Sequence, residues 1–189
     1  HYYPRIEALL KAGPQQTALS SHAADGTIRQ SIALLKNTKH SYAIVFDETA
    51  THGSCVAQAT DRKWTLLQSI RWNQLDEHLR SMQSKSKPMT LRVRTRITPV
   101  NGKGPVFRVG IAESAGKDAG WRSTIQFEKR VTVEEAATSQ DEWKWHEVVI
   151  PRDFHLREDR KYFAYVWPEH RSAEGGQVFV DVFELSSQN

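Results

Sequence analysis

The chain has 189 residues, with 26 Lys and Arg against 22 Asp and Glu, and 18 of its side chains are aromatic. This length and composition fit one globular domain and exclude a chain that is disordered throughout. The single cysteine, Cys55, excludes an intramolecular disulfide framework and a cysteine-based zinc site. No apolar run approaches the length of about twenty residues that a membrane-spanning helix needs, so we expect no membrane partner.

The net charge of +4 is unevenly distributed along the chain. Residues 85–130 hold eleven Lys and Arg against three acids, a net charge of +8, whereas the remainder has fifteen bases against nineteen acids, a net charge of −4. A segment this basic predicts either an anionic ligand or pairing with acids from elsewhere in the chain. Because the sequence opens at His1 and not at a methionine, we expect a processed or excised piece of a longer protein.

Residues 1–38 are predicted to form an N-terminal extension or linker, partly helical, next to a β-sandwich domain at 39–189. The apolar spacing after Pro4 indicates a short helix with proline near its first turn. The polar stretch 15–24 is typical of a linker, and residues 28–35 fit either a second short helix or a strand.

From residue 41 onward the apolar period changes to two, which is typical of strands. The clearest example is 90–97, where apolar residues and Thr95 alternate with arginines. Short strands are predicted at 41–46, 54–59, 64–70, 90–97, 106–112, 123–127, 143–150, 162–167 and 178–185, with one helix-like interruption at 75–82. This pattern predicts an all-β fold, an antiparallel sandwich of two sheets.

Several segments of the predicted sandwich carry a shared pattern. They are 45–56 (Val-Phe-Asp-Glu-Thr-Ala-Thr-His-Gly-Ser-Cys-Val), 64–68 (Trp-Thr-Leu-Leu-Gln), the strand 90–97, 145–150 (Trp-His-Glu-Val-Val-Ile), 165–167 (Tyr-Val-Trp) and 178–185 (Val-Phe-Val-Asp-Val-Phe-Glu-Leu). In this order they resemble the jelly-roll, galactose-binding-like domains that bacterial glycoside hydrolases and polysaccharide lyases carry as carbohydrate-binding modules. The resemblance covers about residues 41–187, and the closing segment is its most specific part. It implies a glycan ligand and a secreted, periplasmic or cell-surface protein.

Arg92, Arg94 and Arg96 are predicted to share one face of a strand and to form an anion-binding row. Their side chains repeat at about 7 Å because a strand rises about 3.3 Å per residue. Guanidinium groups suit bidentate recognition of carboxylate or sulfate. Arg108, in the next predicted strand, extends the row, and the resemblance implies that the row lies on a concave sheet with a glycan groove. The alternative is a solvated face on which acids from neighbouring strands pair with the arginines.

Trp72 and Trp121 are the predicted stacking platforms for sugar rings. The C–H faces of sugars stack on aromatic rings, and tryptophan offers a large surface with few rotatable bonds. Trp121 follows a glycine-rich segment in a predicted loop, and Trp72 lies just past the end of a predicted strand. Three tryptophans inside strand patterns are predicted core residues instead: Trp64, Trp145 and Trp167.

The resemblance also implies a structural calcium ion between an early strand and the last one. The corresponding acids are Asp47 or Glu48 and Asp181. Calcium binds six to eight oxygen atoms, so the backbone carbonyls of Thr51 and Gly53 are candidate ligands as well. Alternatively, Asp181 is an ordinary polar residue on a strand face.

Together, these features predict a non-catalytic carbohydrate-binding module for an anionic polysaccharide, attached to the catalytic domain of a glycan-degrading enzyme. Three alternatives stay open: a polysaccharide lyase that acts on uronate, a structural accessory domain, and a single-stranded nucleic-acid binder. The lyase would draw its base from Tyr162, Tyr165, His146 or His155, but the Gln-x-His and Arg-x-Glu elements expected with it are missing. Nucleic acid is disfavoured because the net charge of the whole chain is modest.

Overall fold

The structure is a computed structural model, and it describes ten stretches of the chain: residues 20–22, 27–31, 42–51, 54–58, 70–83, 88–99, 106–115, 123–132, 142–169 and 176–187. The strands in these stretches are β1 (Ser20–His22), β2 (Ile28–Ser31), β3 (Tyr42–Phe46), β4 (Ser54–Gln58), β5 (Ile70–Trp72), β6 (Met89–Thr98), β7 (Phe107–Ala115), β8 (Ser123–Val131), β9 (Lys144–Ile150), β10 (Arg160–Pro168) and β11 (Gln177–Ser187). A helix, α1 (Leu75–Gln83), lies between β5 and β6. Within the described stretches, no helix is long and apolar enough to cross a membrane.

The strands form two antiparallel sheets, one of seven strands and one of four. In the seven-stranded sheet, β6 pairs with almost the whole length of β11, while β4 and β2 pair with shorter parts of it. Strands β9, β3 and β1 continue this sheet beyond β6, β4 and β2. The four-stranded sheet has the order β5-β10-β7-β8. The predicted all-β, two-sheet jelly-roll sandwich is therefore confirmed.

The core lies between the sheets and is filled by alternate residues of each strand, as the period of two requires. On β6 the buried positions are Leu91, Val93, Thr95 and Ile97, and the arginines between them point to the other side of the sheet. Helix α1 contributes Leu75 and Leu79, which lie one turn apart on its buried face. The sequence alternation thus decides which face of β6 meets the core.

The N-terminal segment differs from its prediction in one respect. Residues 15–24 were expected to be a linker, but β1 lies within them and pairs with β2. At 28–31 the strand alternative is confirmed, because β2 pairs with β11 and buries Ile28 in the core. Residues 32–35 lie outside the described residues. The helix expected after Pro4 lies outside the described residues. The division into an extension at 1–38 and a domain at 39–189 stays a prediction.

Gly110 on β7 is predicted to tolerate no larger side chain. A Cβ atom at this position would lie 2.4 Å from the carbonyl oxygen of Phe127 and 2.8 Å from the hydroxyl of Tyr165. Gly110→Ala should therefore lower the free energy of unfolding by about 1–3 kcal/mol, measured by urea denaturation. Ser114→Ala, on the same face of the same strand, is the control and should change it by less than about 0.5 kcal/mol. Equal urea midpoints for Gly110→Ala and Ser114→Ala would contradict the close approach of Phe127 and Tyr165 to Gly110.

Candidate functional site

The outer face of the four-stranded sheet carries a row of three side chains on adjacent strands. Trp167 of β10 is the cross-strand partner of Arg108 of β7, and Arg108 is the partner of Arg130 of β8. Adjacent strands are about 4.8 Å apart, so the three side chains form one continuous surface. The Cζ atom of Arg108 lies 5.4 Å from the ring centroid of Trp167, within cation–π range. We call these three residues the Trp167 row.

Two carboxylates hold the arginines of the Trp167 row. Glu169 accepts hydrogen bonds from Nε of Arg108 and from Nε and Nη2 of Arg130, the latter two at 2.9 and 3.0 Å. Glu128 accepts a hydrogen bond from Nη1 of Arg108 at 2.7 Å. The carboxylate side chains are 11% and 18% exposed, whereas Arg108 and Arg130 are 31% and 52% exposed. The layer that solvent meets is therefore guanidinium and indole, with the acids beneath it.

Tyr165 supports this cluster from the next row along β10. Its side chain is fully buried, and its hydroxyl donates a hydrogen bond to Oε2 of Glu128 at 2.6 Å. The intervening position on β7 is Gly110, whose missing side chain leaves room for the Tyr165 ring. Burial, reinforced by Glu128, raises the pKa of Tyr165 far above its usual value, so the hydroxyl remains a donor. Tyr165 thus positions Glu128 and is itself closed to a ligand.

Low pH is predicted to lower the free energy of unfolding of the domain through protonation of Glu169. Hydrogen bonds from Arg130 and Arg108 outweigh burial and lower the pKa of Glu169 below its usual 4.5. The folded state therefore binds this proton less readily than the unfolded state. The stabilisation from Glu169 is complete above pH 4.5 and is lost as the pH falls through the lowered pKa.

In Glu169→Gln, the free energy of unfolding should therefore fall less between about pH 5 and 2 than it does in wild type, as measured by urea unfolding at a series of pH values. Glu158→Gln, at an exposed position before β10, is the control, and its free energy of unfolding should fall with pH as steeply as that of wild type. If the free energy of unfolding of Glu169→Gln falls with pH as steeply as that of wild type, the contribution assigned to Glu169 is wrong.

The outer face of the seven-stranded sheet carries the three arginines of β6. With Trp143 and Trp145 they form a surface that we call the arginine face. Each arginine lies beside an acid: Arg92 beside Glu184 (3.4 Å) and Glu147 (3.1 Å), Arg94 beside Asp181 (2.6 Å) and Arg96 beside Asp47 (2.7 Å). The common face predicted for the arginines is confirmed, and so is the pairing with acids that the sequence left as an alternative. Ligand binding by these arginines stays a prediction.

A β-bulge in β11 brings Asp181 to Arg94. The register against β6 shifts between Val180 and Val182, which places an extra residue opposite one partner residue. The buried Asp181 carboxylate accepts hydrogen bonds from the backbone N–H of Thr51 at 3.0 Å, from its hydroxyl at 2.7 Å and from Arg94. One buried carboxylate thereby joins three distant parts of the chain.

Asp47 is held in a similar way at the end of β3. Its carboxylate accepts hydrogen bonds from the backbone N–H of Thr49 at 2.9 Å and from the Thr49 hydroxyl at 2.6 Å. Burial alone would raise the pKa of Asp47, but these hydrogen bonds and the charges of Arg96 and Arg94 lower it. Asp47 is therefore an anion that faces arginines.

The arrangement at Asp47, Glu48 and Asp181 does not fit the calcium ion that the resemblance implies. The Asp181 oxygens accept hydrogen bonds from Thr51 and from a guanidinium cation, and Thr51 offers its N–H rather than its carbonyl. Glu48 is exposed, and Gly53 lies outside the described residues. Among the residues that the structure describes, no group of three or more His, Cys, Asp or Glu could hold a metal ion. Calcium at these residues stays a prediction of the resemblance.

Two predicted ligand residues lie elsewhere than expected. Trp72 is not past a strand end but is the last residue of β5, and it is fully buried in the core, with its ring centroid 6.1 Å from that of Phe183. It is therefore no platform for a sugar. Arg108 does not extend the row of arginines on β6, because β6 and β7 belong to different sheets. The predicted platform Trp121 lies outside the described residues.

Two tryptophans predicted in the core lie on outer faces instead. Trp145 is 37% exposed on the arginine face, and Trp167 is half-buried on the opposite sheet. The third, Trp64, lies outside the described residues. The structure therefore provides surface tryptophans that the sequence prediction missed.

The residues named for lyase chemistry do not meet at one surface. Tyr162 and His146 are buried, and Tyr162 donates a hydrogen bond to Glu113 at 3.2 Å while Nε2 of His146 lies 2.9 Å from the Thr95 hydroxyl. Tyr165 is buried on the other side of the four-stranded sheet. His155 is exposed ahead of β10.

Comparison with known proteins identifies the type of fold. No family model matches the sequence, and no curated protein matches it. Among solved structures, the C-terminal family 22 carbohydrate-binding module of Clostridium thermocellum Xyn10B aligns with a TM-score of 0.52 and 9% identity, over 88% of this chain and 96% of that one. The CBM22-1 xylan-binding domain of Paenibacillus barcinonensis Xyn10C aligns with a TM-score of 0.40 and 8% identity, over 89% and 90% of the two chains.

A larger solved structure is also similar. It comprises the CBM22-1 and GH10 modules of Clostridium thermocellum endo-1,4-beta-D-xylanase 10B with xylohexaose, and it aligns with a TM-score of 0.44 and 9% identity over 78% of this chain. The chain spans 24% of that structure. At 9% identity, the family 22 module of Xyn10B shares the fold: this chain is a jelly-roll β-sandwich of the type found in carbohydrate-binding modules.

Proposed function

We propose that this domain is a non-catalytic carbohydrate-binding module that holds a polysaccharide against the Trp167 row. The observation that carries the proposal is the register that places Trp167, Arg108 and Arg130 side by side on three adjacent strands. An indole ring offers a surface for the C–H face of a sugar, and guanidinium groups donate to its oxygen atoms. The fold supports the same role, since the family 22 module of Xyn10B has conserved amino acids in its cleft that act in ligand binding.

The polar groups of the Trp167 row are fixed in advance of a ligand. Arg108 is held by Glu169 and Glu128, and Glu128 is held in turn by the buried Tyr165. Side chains that are already ordered lose little conformational freedom on binding, which favours affinity. The network therefore suits recognition of a ligand of defined shape.

The ligand class that we propose is a polysaccharide with carboxylate or sulfate groups. The arginines of the row are more exposed than the acids that hold them. Among the described contacts, Nη2 of Arg108 and Nη1 of Arg130 are not used by these acids and remain as donors. Guanidinium donors match the geometry of carboxylate and sulfate. The proposed setting is a bacterial glycan-degrading enzyme that acts outside the cell.

Affinity electrophoresis in gels that contain alginate, chondroitin sulfate or neutral xylan tests both parts of the proposal. We expect retardation by an anionic polymer and its loss or marked reduction in Trp167→Ala and Arg130→Ala. Arg152→Ala, at an exposed position after β9, removes the same charge and is the matched control that should keep wild-type retardation. Absence of retardation of the folded wild type in every gel would contradict the module, and retardation by xylan alone would contradict the anionic ligand.

A further inference from the structure

We propose that the Trp167 row selects a polysaccharide in which uncharged sugars separate the acidic ones, and that this polymer lies across the strands, from β10 to β8. This ligand class rests on the proposed function, because it narrows an anionic polysaccharide to one of low charge density. Three features of the row lead to it: the direction of the row, its charge balance and its unused hydrogen-bond donors.

The row gives a bound polymer its direction. Trp167, Arg108 and Arg130 are cross-strand partners, so the line through them crosses the strands at about right angles, in steps of about 4.8 Å. Two residues away on the same face of β10, Tyr165 is fully buried, and its partner on β7 is Gly110, which has no side chain. A polymer that ran along the strands would leave the exposed groups of the row, whereas a polymer that crosses the strands follows them.

The charges in and beside the row cancel. The two arginines pair with two carboxylates, so these four side chains have a net charge of zero. Strands β10 and β8 both pair antiparallel with β7 and therefore run in the same direction. Glu128 precedes Arg130 by two residues and Glu169 follows Trp167 by two residues, so the acids lie on opposite sides of the row. A polymer with an acidic group on every sugar would bring negative charges beside both carboxylates, and like charges repel.

The unused donors of the row fit one acidic group. Among the described contacts, Nη2 of Arg108 and Nη1 of Arg130 are not taken by the acids. These donors belong to neighbouring positions on β7 and β8, and one carboxylate or sulfate accepts two hydrogen bonds from guanidinium groups. Trp167 lies one strand further, half-buried, and the negative face of an aromatic ring disfavours a carboxylate there. The row therefore suits an uncharged sugar at Trp167 and an acidic sugar at the arginines.

Matched pairs of polymers that differ in charge density test this preference. One pair is alginate and alginate with part of its carboxyl groups reduced to alcohols, and the other is chondroitin sulfate and chondroitin freed of sulfate. Affinity electrophoresis is run at about 0.15 M salt, where the Debye length is about 8 Å and the net charge of +4 is screened. We expect wild type to bind the less charged member of each pair about threefold more tightly, and neutral xylan less tightly than that member.

Glu128→Gln should abolish the preference for the less charged polymer. The amide oxygen still accepts hydrogen bonds from Arg108 and from the Tyr165 hydroxyl, so the row stays ordered while one negative charge is lost. This variant should bind the more charged member of each pair at least as tightly as the less charged one. Glu158→Gln, at an exposed position before β10, loses the same charge and is the matched control that should keep the wild-type preference.

The direction of the polymer is tested on β8. Arg130→Ala, at the end of the row, should bind the acidic polymers no more tightly than xylan. Ile125→Ala should keep wild-type affinity, because Ile125 is exposed on the same strand and face but lies away from the row. A loss in Ile125→Ala as large as that in Arg130→Ala would overturn the direction across the strands.

The outcomes separate this inference from the proposed function. Tighter binding of the more charged polymers by wild type, or an unchanged preference in Glu128→Gln, would overturn the selection of low charge density and leave the proposed function intact. Tighter binding of xylan than of every acidic polymer would overturn the acidic group at the arginines. Absence of binding to all of the polymers by the folded wild type would overturn the proposed function itself.

Discussion

Asp181→Ala should lower the free energy of unfolding by about 3 kcal/mol, because it removes a buried carboxylate and leaves the partly buried Arg94 and a backbone N–H short of an acceptor. Asp181 is fully buried, and its carboxylate receives Arg94 at 2.6 Å and the backbone N–H and hydroxyl of Thr51. The substitution therefore leaves a guanidinium and a backbone donor short of an acceptor on the outer face of the sheet. Urea unfolding followed by tryptophan fluorescence measures the loss.

Two further variants separate the charge from the hydrogen bonds. Asp181→Asn keeps an acceptor for Thr51 but removes the negative charge, so its loss should fall between those of wild type and Asp181→Ala. Asp159→Ala is the control. It removes an exposed acid that pairs with Arg157 and Arg160, and it should lower the free energy of unfolding by less than about 1 kcal/mol. A cost for Asp181→Ala as small as that for Asp159→Ala would contradict the importance of the buried pair.

A chelator experiment on wild type addresses the calcium ion expected from sequence. If Arg94 and Thr51 satisfy Asp181, the urea midpoint should be the same in excess calcium and in excess EDTA. A midpoint that rises with calcium would contradict this account and would favour a metal at Asp47, Glu48 and Asp181.

Trp72→Ala should lower the free energy of unfolding by about 3–5 kcal/mol. The indole is fully buried, lies 6.1 Å from the Phe183 ring and 5.5 Å from the His78 ring, and its removal leaves a large cavity between β5 and the core. Its Nε1–H has no hydrogen-bond acceptor among the described residues. Trp72→Phe, which keeps an aromatic ring and removes that donor, should therefore cost less than Trp72→Ala.

Trp145→Ala is the matched control for this prediction, since Trp145 is a strand tryptophan on an outer face. It should change the free energy of unfolding by less than about 1 kcal/mol. Neither Trp72→Ala nor Trp72→Phe should weaken glycan binding directly, because the Trp72 side chain is fully buried. Loss of glycan binding in a folded Trp72 variant of wild-type stability would contradict its placement in the core.

Trp145 and Trp167, which were predicted in the core but lie on outer faces, were not equally predictable. Trp145 shares its face of β9 with Glu147, and an acid two residues away indicates the solvent side, so the alternation of β9 is enough to place Trp145 on the outer face. Trp167 lies in β10, a strand that is apolar at nearly every position from Tyr162 onward and has aromatic residues on both faces. Period alone cannot choose a side for such a strand, because both of its faces pack against other side chains.

The arginines show a different limit. The alternation in 90–97 predicts that Arg92, Arg94 and Arg96 share a face, and the structure agrees. Their partners Glu184 and Asp181 lie about ninety residues later on β11, and the bulge that turns Asp181 toward Arg94 has no local signature. Arg108 was misplaced because the glycine-rich sequence 101–105 is typical of a hairpin, whereas β6 and β7 belong to different sheets. These contacts depend on which distant strands pair with one another, and the local sequence around each residue does not predict that pairing.

Strand β11 also bears on how the chain matures during synthesis. It is the last described strand along the chain, yet β2, β4 and β6 all pair with it. Until residues 177–187 are made, β2, β4 and β6 each lack the partner strand at one edge. Exposed strand edges attract other chains. The strand pairs β1–β2, β3–β4 and β6–β9 therefore join into one sheet only when β11 is present.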